Sequence, residues 1–274
     1  MSSSPILVTW DFTLLSEFAL EHAVRIAKML NNPIQLIHIL EKKTDQQALT
    51  EKLQQVACDA EKKYGILPGI ILKEGSIFTT ISEVANHIQA NLVVMGTHGI
   101  QGIQKITGSW ALKVIVGSAV PFLVVQAPPS NLYLKKIVFP IDFQNESKEK
   151  LPWIIYLAQY YRSEILVYKN NFQDERLKMK VNSNLIFLRK ALDAKNINYT
   201  VHTNETKLPF AEAAIEFSRQ TNSDLIAIMT TKNIGFKDYV FGAVEQKIIA
   251  NPYKIPVICV NPRDDLYKLG GFSR

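Results

Sequence analysis

The chain is expected to fold as an α/β protein of two tandem domains, each a five-stranded parallel sheet covered by helices on both faces. Three observations point there. Short apolar runs rich in Val and Ile alternate with longer amphipathic segments, the signature of βα units. The alternation passes through the same order of elements twice. At 274 residues the length suits two domains of roughly 100–150 residues each.

In the first half, Ile6–Trp10 lacks polar alternation, as a strand buried on both faces does. Residues 16–30 place Phe18, Leu20, Ala23, Ile26, Ala27 and Leu30 mostly on one side of a helix. Ser16 reads as its N-cap, and Asn31-Asn32-Pro33 as its stop. Ile34–Ile39 is the second strand, 44–63 a polar helix and 69–74 the third strand. A helix over 77–89, a strand over 92–95, a helix at about 109–117 and a strand Phe122–Gln126 follow.

The second half predicts strand 137–141, helix 147–161, strand 164–169, helix 175–195 and strand 198–202. Helix 209–221, strand 224–229, helix 242–250 and strand 256–260 complete it. Sequence likeness accompanies the likeness of order. Ile6–Phe12 answers Ile137–Phe143 and pairs Asp11 with Asp142. At a shift of 134, Met95 falls on Met229, Gly108 on Gly242 and Lys113 on Lys247. Pro121–Gln126 answers Pro256–Asn261. Three blocks recurring in order read as a duplicated domain. The uncharged, Pro-containing stretch 127–133 is the linker, so the domains are 1–130 and 131–274.

Composition excludes several classes. A chain 47% hydrophobic and 20% charged is neither collagenous nor wholly disordered. No run approaches the roughly 20 apolar residues of a membrane span. The N-terminus has no basic residues ahead of its apolar run, so a cytoplasmic protein is expected. Cys58 and Cys259 cannot make a disulfide framework or a four-ligand zinc site. Residues 1–130 hold 10 Lys/Arg against 10 Asp/Glu, and residues 131–274 hold 21 against 15. The formal net charge of +6 therefore lies wholly in the second half. It is scattered there, as on a solvated surface and unlike a nucleic-acid face.

The segment that carries chemistry is Met95–Ile115, directly after a strand. Gly96, Gly99 and Gly102 permit tight turns and close approach of backbone amides to a ligand. Gly108-Ser109 opens a helix whose first amides can point at an anion, and Ser109 can cap that helix or donate to a phosphate. The segment is neither a Walker A loop nor the dinucleotide fingerprint. Asp11 ends the first strand and would share a crevice with this loop if strands one and four are neighbours. There it could accept from a ribose hydroxyl or an adenine amino group, or cap the following helix. Ligands of such sheets settle at the carboxyl ends of the strands, where strand order reverses.

These residues resemble the universal stress protein family in its tandem two-domain form. The likeness lies in the aspartate ending strand one, the small-residue loop after strand four, Gly-Ser at a helix start and a Pro-led last strand. The nucleotide-binding branch carries Gly-x2-Gly-x9-Gly-Ser/Thr; here eight residues separate Gly99 from Gly108. The resemblance implies Rossmann-like domains of the adenine nucleotide alpha hydrolase type, binding ATP, with or without Mg²⁺, in stress response or signalling. It implies that Asp11 and the main chain near Ile39 hold adenine and ribose, with Met95 and Gly96 lining the pocket. Gly99, Gly108, Ser109 and the amide of Trp110 would hold the phosphates. Thr9 stands where a proline is usual, and Trp10 where a small aliphatic residue is usual. His98 and Lys105 lie on the loop within reach of phosphates.

The second copy has Thr230, Asn233 and Ala243 in place of Gly96, Gly99 and Ser109, so it is expected to bind nucleotide weakly or not at all. No carboxylate pair, Ser/His/Asp set or metal-binding strand acid sits near Ser109, so hydrolysis is at most slow. The alternative is an interaction scaffold without nucleotide. The resemblance also implies that the last strands of the two domains pair within the chain, and a further homodimer is compatible with it.

Overall fold

The structure is a computed structural model that describes residues 4–40, 45–97, 108–116, 118–144, 148–230 and 243–262. The first half contains β1 (Ile6–Thr9), α1 (Leu14–Leu30), β2 (Ile34–Leu40), α2 (Gln46–Tyr64) and β3 (Gly69–Glu74). It continues through α3 (Ile77–His87), β4 (Leu92–Gly96), α4 (Gly108–Ile115) and β5 (Phe122–Val125). The second half repeats the order as β6 (Lys136–Ile141), α5 (Leu151–Tyr161), β7 (Glu164–Lys169), α6 (Glu175–Asp193) and β8 (Tyr199–Thr203). It ends with α7 (Phe210–Gln220), β9 (Leu225–Met229), α8 (Ala243–Ile249) and β10 (Val257–Val260).

All ten strands belong to one sheet, in the order β3-β2-β1-β4-β5-β10-β9-β6-β7-β8. Within each half the strands are parallel; β5 and β10 meet antiparallel, with Leu123 opposite Ile258. Both strands are buried throughout, so the pairing hides two apolar edges that would otherwise recruit other chains. One apolar core, including Ile6, Val8, Leu36, Phe139 and Val167, packs with α1, α2, α5 and α6. The other, including Leu7, Ile37, Phe122, Ile228 and Val257, packs with α3, α4, α7 and α8. Both cores run across the joint between the halves.

Ladder register measures the duplication. Ile6 pairs with Ile34 as Ile137 pairs with Ile165, so β1 and β2 stand 131 residues from their counterparts. Ile6 also pairs with Leu92, and Ile137 with Leu225. Strands β4 and β9 are thus offset by 133, not the 134 that aligning Met95 with Met229 suggests. Structurally Met95 corresponds to Ile228, Gly96 to Met229 and Thr97 to Thr230. The amides of Thr97 and Thr230 agree, donating to Val125 O and Val260 O, each at 2.9 Å.

Two helix starts differ from expectation. Helix α1 begins at Leu14, so Ser16 is a buried residue of its first turn and not the N-cap. Helix α5 begins at Leu151 and not near 147, with Pro152 in its first turn, where the missing amide hydrogen costs nothing. Asp45 and Asp174 cap α2 and α6 by accepting amide hydrogens two and three residues ahead. Cys58 is exposed, and Cys259 is buried in β10 with its thiol pushed up by burial.

A polar cluster fixes the linker between the halves. His22, buried in α1, lies 3.1 Å from Ala127 O and 3.0 Å from the Arg25 guanidinium. Burial first, then the charge of Arg25, pushes His22 down to about 3. Arg25 donates to Asn131 O at 3.0 Å, and Tyr161 of α5 donates to Arg25 O at 3.2 Å. Asp224, just before β9, accepts from Asn131 Nδ2 and from the amides of Lys135 and Lys136.

Candidate functional site

A cleft of about 100 Å³, open to solvent at its mouth, lies at the carboxyl ends of β1, β2 and β4. This is where strand order reverses, since β1 lies between β2 and β4. Thr9, Trp10 and Asp11 come from the end of β1; Ile37, His38 and Ile39 from β2; Met95 and Gly96 from β4. Ile77 and Ile81 of α3, Val114 of α4 and Ser16 of α1 close the walls. The cleft thus gathers Thr9, Asp11, Ile39, Met95 and Gly96 from the expected set. Gly108, Ser109 and Trp110 are the first residues of α4. His98, Gly99, Gly102 and Lys105 lie outside the described residues.

Asp11 organises the start of α1. Its Oδ1 accepts from the Thr13 amide at 3.1 Å, from Thr13 Oγ1 at 2.6 Å and from Ser16 Oγ, while its own amide donates back to Ser16 Oγ at 2.9 Å. The carboxylate therefore braces the turn that leads into α1, whose N-cap residue Thr13 makes no side-chain cap. Phe12 has φ 63° and half-exposes its ring. It stands edge-on to Trp10 and to His38, with centroids 6.3 and 5.1 Å away. His38 Nδ1 is 2.7 Å from Trp10 O. A carbonyl only accepts, so Nδ1 carries a hydrogen. The buried indole Nε1 of Trp10 has no partner among the described residues.

Gly96 has a reason other than approach to a ligand. A Cβ there would lie 2.3 Å from Leu15 O and 2.8 Å from Leu15 Cβ. The glycine lets the first turn of α1 rest directly on the end of β4.

In the second half the same positions are filled. Ile37 corresponds by register to Tyr168, and Ile77 and Val84 correspond to Phe210 and Phe217 of α7. Tyr168 stacks on Phe210, with centroids 5.8 Å apart and planes at 2°, and on Phe217, at 4.5 Å and 17°. Ala214 replaces Ile81 and leaves room for the tyrosine ring. Asp142 Oδ1 accepts from the Gln144 amide at 2.9 Å. Lys150, buried before α5, donates to Pro140 O at 2.6 Å and lies 4.5 Å over the Phe139 ring. Burial lowers it to about 8, against the pull of Asp142.

The residues missed in sequence were Ile37, His38, Ile77, Ile81 and Val114. Ile77 and Ile81 carry a signal, apolar residues at i and i+4 immediately after Gly75-Ser76. Strand β2 residues carry none, because a buried strand looks the same beside a cleft as beneath a helix.

The model of the universal stress protein family matches residues 3–126. Over its first half, the chain is similar to the universal stress protein family. A curated universal stress protein of Methanocaldococcus jannaschii is 29% identical over 139 residues, covering 45% of this chain and 82% of that protein. The crystal structure of a universal stress protein from Archaeoglobus fulgidus is similar over 96% of this chain and 100% of its own, with a TM-score of 0.74 at 18% identity. A functionally unknown protein of Pseudomonas aeruginosa is similar over 98% and 96%, with a TM-score of 0.67 at 14% identity. The two structures share the fold across both halves. Among the described residues, no helix is long and apolar enough to cross a membrane.

Proposed function

We propose that the chain is a stress-response protein that binds an adenine nucleotide, ATP by preference, in its first domain, residues 1–130. Residues 131–274 form a second domain that binds nucleotide weakly or not at all. The observation that carries this reading is the cleft at the β1/β4 reversal point of the first half, where the second half has Tyr168 and Phe210 in place of Ile37 and Ile77.

The apolar walls from Ile37, Ile77, Ile81, Met95 and Val114 suit a planar base. Asp11 Oδ1 is taken by α1, which leaves Oδ2 to accept from a ribose hydroxyl or the base amino group. The phosphates would lie toward the start of α4, where the amides of Gly108, Ser109 and Trp110 have no partners within the helix and favour an anion. Gly99 and His98 would complete that end. Among the described residues no group of three or more metal-type side chains occurs, and Asp11 is the one acid of the cleft. Mg²⁺ would therefore enter with the nucleotide, held by phosphate oxygens and water.

Mass spectrometry of small molecules released from freshly purified protein tests the reading, and an adenine nucleotide is the expected result. Gly108→Val should abolish binding of added ATP while the protein stays folded. Equal weakening by Gly242→Val would contradict the one-site assignment. A protein that carries no nucleotide and binds none on addition would leave the scaffold reading.

A further inference from the structure

The residues that follow β5 and β10 hold each other's helices. Gln126, after β5, donates from Nε2 to Ile249 O at 2.9 Å and to Asn251 O at 3.2 Å, at the end of α8. Asn261, after β10, donates from Nδ2 to Ile115 O at 2.5 Å and to Ser118 O at 2.8 Å, at the end of α4. The two are equivalent in the repeat, and each spends both amide hydrogens on the opposite half. Asn261 is further fixed because Thr230 Oγ1 donates to its Oδ1.

The consequences of the two clamps differ. Helix α4 has eight residues, so only about two turns separate its clamped end from its start. Val114, next to the clamped Ile115, lines the cleft wall, and Gly108 opens the helix toward the phosphates. Without a partner the last carbonyls of a helix must find water or a tighter turn. In so short a helix, loss of the last-turn anchor displaces both Val114 and the amides at the start. Helix α8 is held the same way, but in its half Tyr168 and Phe210 stand at the positions of the cleft residues Ile37 and Ile77.

We propose that Asn261 of the second half is a positioning residue for the nucleotide site of the first, so that the diverged half supports a cleft whose lining, among the described residues, comes from the first half alone. This rests on the ATP-binding reading. In full-length protein, Asn261→Ala is expected to weaken ATP binding about tenfold, the effect of a net contribution near that of one hydrogen bond. Gln126→Ala, the mirror clamp, should leave ATP affinity within about twofold of the original while lowering the melting temperature similarly. Asn261→Gln should restore most of the affinity, because Gln126 makes the same reach from the same place. Equal weakening by both alanine variants, or none by Asn261→Ala, overturns the proposal.

Hydrogen exchange on ligand-free protein separates this from failure of the ATP reading. Asn261→Ala should speed exchange of the Val114–Val116 amides and leave those of α8 unchanged; no change at α4 overturns the positioning role even where ATP does not bind. An unaltered protein that fails to bind ATP contradicts the site assignment itself.

Discussion

The two halves share register, topology and helix order, yet at the ends of their central strands they have moved in opposite directions. In the first half, Ile37, Ile77 and Ile81 leave a cleft and Gly96 admits the first turn of α1. In the second, Tyr168 and Phe210 replace Ile37 and Ile77 and stack on each other, Met229 replaces the glycine and α5 starts later. The backbone scaffold is held by strand pairing and the two cores, which leaves the side chains at the strand ends free to diverge. A duplicated fold does not imply a duplicated site.

The comparison can be broken most severely by moving the ring plug. Ile37→Tyr combined with Ile77→Phe should lower ATP affinity by at least about a hundredfold, or about 2.8 kcal/mol. Circular dichroism should show the fold retained, since the rings enter open space. The reverse exchange, Tyr168→Ile with Phe210→Ile, should leave ATP affinity unchanged.

Next in size is the contact that only the first half makes. Gly96→Val should destabilise the protein by about 3 kcal/mol, because its Cβ meets Leu15 backbone that cannot swing aside. Met229→Ala should cost about 1 kcal/mol, since this residue is half-exposed. Urea denaturation of the two variants measures the asymmetry; equal costs would remove it.

The joint supplies a smaller, pH-dependent test. His22 and Arg25 of α1 correspond to Trp153 and Tyr156 of α5, so only the first half places an imidazole there. His22 is held neutral down to about 3, whereas an unfolded histidine takes up a proton near 6.5. The unfolded state therefore binds more protons between these values, and stability falls as pH falls through that window. The slope is at most about 1.4 kcal/mol per pH unit. His22→Gln should flatten the wild-type decline of melting temperature between pH 6.5 and 4.5; parallel profiles would contradict the assignment. Smallest is Asp11→Ala, expected to cost about 1 kcal/mol through the start of α1. Chemical denaturation reads that loss, and an unchanged midpoint would count against the brace.

Much of the architecture was legible in sequence, because buried parallel strands and amphipathic helices leave periodic traces. The duplication was legible because both last strands begin after proline and both first strands end on aspartate. The shift of 134 was misleading where two methionines matched by chance; hydrogen-bond register gives 133. Ser16 resembled a cap because Asp11, which braces the turn into α1, lies outside the helix and acts through Thr13. Tyr168 and Phe210 lie far apart along the chain, and only register and helix order show that they stand at the positions of the cleft residues Ile37 and Ile77. The roles of Gln126 and Asn261 were hidden likewise, since their partners lie more than a hundred residues away.

The central claim is that one chain offers one nucleotide site, in its first half. Isothermal titration of the full-length protein with ATP tests it most directly. The account predicts one ATP per chain, with heat lost in the Ile37→Tyr/Ile77→Phe variant and retained in the Tyr168→Ile/Phe210→Ile variant. Two ATP per chain, or binding that survives the ring plug, would contradict it.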